Sequence, residues 1–77
     1  MNLVDRIQAA LANIYTDASA IELKAVVENE HYLWADYTVV DACRAFPVRA
    51  FGAVKVLKSI EQGHLFEAQG EVHHFQL

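Results

Sequence analysis

Pro47-Val48-Arg49-Ala50-Phe51-Gly52-Ala53-Val54-Lys55-Val56-Leu57-Lys58-Ser59-Ile60-Glu61-Gln62 is the stretch on which the fold turns, and it reads as a helix. Pro47 suits a first turn, where its missing N–H leaves no intrahelical bond unmade. Projected at about 100° per residue, Ala50, Ala53, Val54, Val56, Leu57 and Ile60 gather on one broad side. Phe51, Gly52, Lys55, Lys58 and Ser59 fall on the other. Gly63 follows as a left-handed cap. Gly52 costs such a helix about 1 kcal/mol relative to alanine.

Upstream, Thr38 to Phe46 reads as a shorter helix closed by Pro47. Downstream, Leu65–Ala68 and Val72–Leu77 flank Gln69-Gly70, the pattern of a hairpin. At the other end of the chain, residues 3–15 form an amphipathic helix. Asn2 is placed to cap it, Asp5 opposes the dipole, and Leu3, Ile7, Leu11 and Ile14 make a stripe. Residues 20–40 admit two readings. Ile21, Leu23, Ala25 and Val27 alternate with Glu22, Lys24 and Val26, as in a half-buried strand. Tyr32 to Val40 is aromatic and β-branched, with Glu28-Asn29-Glu30-His31 as a turn between the two. Alternatively, Ala20–Glu30 is a helix capped by Ser19, with Leu23, Val26 and Val27 on one face.

Residues 38–66 resemble the helix-turn-helix of the winged-helix superfamily, small bacterial and phage DNA-binding regulators. The likeness lies in Thr38 opening a short helix, the Ala42-Cys43 pair, Phe46 before the turn and Val48 after it. Val56-Leu57-Lys58-Ser59-Ile60-Glu61 then precede a glycine and the strand start Leu65-Phe66, and residues 64–77 look like the wing. The resemblance implies a helix-rich α+β domain with an N-terminal amphipathic helix and a C-terminal β-hairpin. The alternative is an α-β-β-α-β-β sandwich with residues 20–40 as a hairpin.

With 77 residues the chain makes one domain, spanning 1–77, and its 55% hydrophobic content with few glycines suits a compact unit. One cysteine, Cys43, excludes an internal disulfide framework and reads as a small buried residue. No apolar run approaches the roughly 18 residues that span a bilayer, and the N-terminus lacks the basic start and apolar block of a signal peptide. A cytoplasmic protein is expected. The net charge of −4 is unevenly spread: residues 1–41 carry 2 − 7 = −5 and residues 42–77 carry 4 − 3 = +1.

No catalytic motif is present, so a non-enzymatic binding role is expected. The resemblance implies a transcriptional regulator with helix 47–62 in the major groove of double-stranded DNA, contacting it through Arg44, Arg49, Phe51, Lys55 and Lys58. A second reading, drawn from the acidic first half and its aromatic patch, is an interaction or inhibitor protein. It would engage a basic partner through Glu28, Glu30, Tyr32, Trp34 and Tyr37. Each residue also has a plainer role: the lysines on a solvated face, Phe51 and Trp34 in packing. His73 and His74 are adjacent in a strand and point to opposite faces, and His64 could approach one of them. No ligand set has a recognised metal spacing, so neither metal nor cofactor is expected. A homodimer is compatible with so small a domain.

Overall fold

The computed structural model describes residues 2–41, 45, 47–68, 70 and 72–77, with Val72 described by its backbone alone. Among the described residues one helix, α1 (Leu3–Ile14), precedes five strands: β1 (Ala20–Glu28), β2 (Tyr32–Val40), β3 (Val48–Leu57), β4 (Gln62–Glu67) and β5 (Val72–Gln76). They form one sheet in the order β1-β2-β3-β4-β5, each pair antiparallel.

The helix forms where expected. Asn2 is extended, and its Oδ1 accepts the Asp5 N–H at 2.9 Å, satisfying one of the unpaired donors of the first turn. Ile7 and Leu11 are fully buried, with Leu3, Val4 and Ile14 packed against the same core. Opposite them lies one face of the sheet. Leu33, Ala35, Tyr37 and Val39 of β2 alternate inward, joined by Val54 and Val56 of β3 and Leu65 of β4. Ala35, Val54 and Leu65 are successive register partners, so the core is continuous across three strands. Burying each large side chain contributes roughly 1.5–3 kcal/mol before entropy is counted.

The β1–β2 turn is held by Asn29, whose Oδ1 accepts the N–H groups of His31 and Tyr32 at 2.8 and 2.9 Å. Gly70 turns the chain between β4 and β5 with φ +95°.

Four expectations are overturned. Residues 47–62 are not a helix: Val48–Leu57 is β3, and Lys58 to Glu61 turn into β4. The helical projection placed Ala53 with Val54 and Leu57 with Val56, but in the strand each pair splits across the sheet, and Val54 and Val56 are fully buried. The winged-helix resemblance fails with it, since Thr38 lies in β2 paired with Phe51 instead of opening a helix. The domain is mostly antiparallel sheet with one short helix, not helix-rich. The α-β-β-α-β-β alternative fails at its second helix, although residues 20–40 do form a hairpin. Finally, Gly63 is no helix cap. It is buried in β4 beneath the Phe75 ring, which occupies the space a Cβ would need. Arg44, the Ala42-Cys43 pair, Phe46 and Gln69 lie outside the described residues. No helix among the described residues is long and apolar enough to cross a membrane.

Candidate interaction surface

A single helix covers the inner face, and among the described residues no element packs on the outer one. The same alternation that buries Leu33, Ala35 and Tyr37 turns Trp34 and Asp36 outward. On β4, burial of Leu65 turns Phe66 and His64 outward. Trp34 and Phe66 are two strands apart, yet their rings stack with centroids 5.8 Å apart and planes 28° apart. They meet over β3, whose outward residue beside Phe66 is the small Ala53. Both rings stay more than a third exposed, and Phe51 on the same face is 59% exposed. Lys55 leans the other way, its Nζ 5.1 Å from the centre of the Tyr32 ring.

The charges divide unequally. Arg6 pairs with Glu61 at 3.3 Å, Lys24 with Glu22 at 3.8 Å, Lys58 with Glu28 at 2.6 Å, and Arg49 with Asp17. With Lys55 held over Tyr32, every described lysine and arginine has a carboxylate or an aromatic ring as partner. The Asp17 carboxylate holds the Arg49 guanidinium above its ordinary pKa. Asp36 on the outer face and Glu30 in the β1–β2 turn make no ion pair among the described residues, although Lys24 stands opposite Asp36 in the β1–β2 register.

A polar cluster lies on the inner face. The Tyr15 hydroxyl donates to Glu67 and lies 3.0 Å from the Tyr37 hydroxyl, while His73 Nε2 is 3.3 Å from the same Glu67 oxygen. Burial first, then Glu67 and Tyr37, pushes the pKa of Tyr15 far above the ordinary tyrosine range, and burial also raises that of Tyr37. Both hydroxyls therefore remain protonated donors, poor as bases or nucleophiles. The cluster ties the end of α1 to β2, β4 and β5. A cleft of about 250 Å³ near the start of α1 is lined by Leu3, Val56 and Leu77 and flanked by the Arg6–Glu61 and Lys58–Glu28 pairs. It falls below the usual size of a ligand pocket.

The residues expected to contact DNA are dispersed. Phe51 and Lys55 stand on the outer face, Arg49 sits where the β2–β3 register shifts, and Lys58 is in the β3–β4 turn. The expected partner-binding residues separate as well: Tyr32 and Trp34 face outward, Tyr37 is buried inward, and Glu28 is tied to Lys58. Phe66, which completes the aromatic centre, was not singled out from sequence. The signal for it was the Leu65/Phe66 alternation in a short strand. Comparison with protein-family models, curated proteins and solved structures finds no match to this chain.

Proposed function

We propose that this chain is a non-enzymatic interaction module that docks a partner protein on its outer sheet face. The partner presents an apolar centre to Trp34 and Phe66 and a basic rim to Asp36 and Glu30. The observation that carries this reading is the Trp34–Phe66 stack, more than a third exposed, on a sheet face that no described element covers. Tryptophan and other aromatics at the centre of a patch are the usual anchors of protein interfaces. A nucleic-acid reader needs cations free to meet phosphates, and here the described cations already have partners on their own chain.

The test compares wild type with Trp34→Ala, Phe66→Ala and Asp36→Lys in capture from nuclease-treated extract, with circular dichroism confirming the fold of each variant. A stoichiometric, nuclease-resistant protein is expected. Its affinity should fall at least about 30-fold with Trp34→Ala or Phe66→Ala, as for an interface hot spot. Asp36→Lys should weaken it further at low salt than at high salt. Retention of the partner by both aromatic variants would overturn the proposal. So would an association abolished by nuclease, which points to nucleic acid, or a concentration-dependent mass in sedimentation with no other protein, which points to a second copy.

A further inference from the structure

His64 on β4 and His74 on β5 are direct register partners on the outer face, their ring centroids 4.6 Å apart and their planes 61° apart. Strand alternation sends His73 inward to Glu67 and leaves His74 beside His64. The sheet fixes the spacing, because opposite Cβ atoms in an antiparallel pair sit about 4.5–5.5 Å apart. Two imidazoles at that separation can aim one nitrogen each at a common point by side-chain rotation alone. Imidazole suits zinc, copper and nickel, and a zinc–nitrogen bond of about 2.0–2.1 Å fits such a pair. Lys55, the β3 neighbour of His64, carries its ammonium toward Tyr32 and so does not crowd the site with positive charge.

We propose that His64 and His74 form a bidentate site for a divalent ion of the zinc class. Among the described residues no group of three or more His, Cys, Asp or Glu side chains could hold a metal, so the described residues supply two donors and water can fill the remaining positions. A bound ion clips β5 to β4 at the rim of the aromatic face. This inference stands independently of the docking proposal, because it needs no partner.

The experiment titrates the whole chain with Zn²⁺ alone, following the imidazole signals by NMR and the thermal midpoint in parallel. Saturable one-to-one binding should move the His64 and His74 signals together and leave that of His31 in place. His64→Gln or His74→Gln should weaken binding at least tenfold and abolish the zinc-dependent rise in midpoint, while His73→Gln and Cys43→Ser should change affinity less than twofold. No saturable shift of His64 and His74 up to millimolar Zn²⁺ would overturn the proposal. Unchanged binding in both glutamine variants, or its loss in Cys43→Ser, would also overturn it by placing the ion elsewhere.

Discussion

Gly52 shows how much of this fold rests on single positions. A Cβ there would lie 2.1 Å from the Phe66 carbonyl oxygen and 2.8 Å from Cε1 of Tyr37. The absent side chain is what lets the Tyr37 ring cross β3 and bring its hydroxyl to Tyr15. Gly52→Ala must therefore move backbone, and a loss of about 2–4 kcal/mol is expected in the urea midpoint. Gly63→Ala makes the instructive contrast. The atoms nearest its Cβ belong to the Phe75 ring, a side chain on the edge strand, and not to backbone, so its cost should be the smaller of the two. Equal midpoints for the two variants would refute this account. Gly52 was visible in the sequence as a residue that weakens a helix, and a glycine inside a strand commonly marks close approach of another group. Which group approached was not legible, because Tyr37 and Phe66 lie 15 and 14 residues away along the chain. The site was legible to the same degree. Tyr32 and Trp34 stood out as an aromatic patch, while Phe66 and the His64–His74 pair depend on register, which no single strand encodes.

Strand β3 satisfies both periodicities, which is why its sequence misleads. Val54, Val56 and Leu57 lie on one side of a helix, yet Val54 and Val56 also alternate with Lys55 as in a strand. Periodicity alone cannot separate the two for a short apolar run; the choice is made by β2 and β4, which pair with it on both sides. The amphipathic stripe of α1 was legible because it is set by neighbours in the chain, whereas residues 20–30 admitted both helix and strand until pairing with β2 decided for the strand. Edge strand β1 carries a different device. Its register shifts between Lys24 and Val27, and Ala25 adopts φ +53°, a left-handed conformation costly for any residue with a Cβ. The irregularity breaks the open edge, and Gln8 Nε2 donates to the Ile21 carbonyl at 3.1 Å farther along the same strand. Both features blunt the edge against pairing with another chain. Ala25→Gly relieves the left-handed strain at some cost in unfolded-chain entropy, so a net gain of about 0.5–1 kcal/mol is expected by chemical denaturation. A loss of stability would show that the strain assigned to Ala25 is absent.

At the scale of the whole molecule, the Tyr15–Tyr37–Glu67 cluster couples the helix to the sheet and makes stability depend on pH at the alkaline end. Both tyrosines have pKa values raised in the fold above the ordinary value of 10.0. Below about pH 10 the hydroxyls are protonated whether the chain is folded or not, and their contribution is fully present. Above it the unfolded chain releases protons that the folded chain retains, so stability falls as pH rises. Each retained proton steepens that fall by up to about 1.4 kcal/mol per pH unit. Lysines titrate in the same range, so the diagnostic quantity is the difference between wild type and Tyr15→Phe. The variant loses one raised hydroxyl, and its urea midpoint should start lower at neutral pH but decline less between about pH 9 and about pH 11. Absorbance of the tyrosinate should show ionisation of the wild type lagging behind that of the unfolded chain. Parallel declines in the two proteins would mean that Tyr15 ionises as freely in the fold as outside it, and that the link from helix to sheet is not made through its hydroxyl.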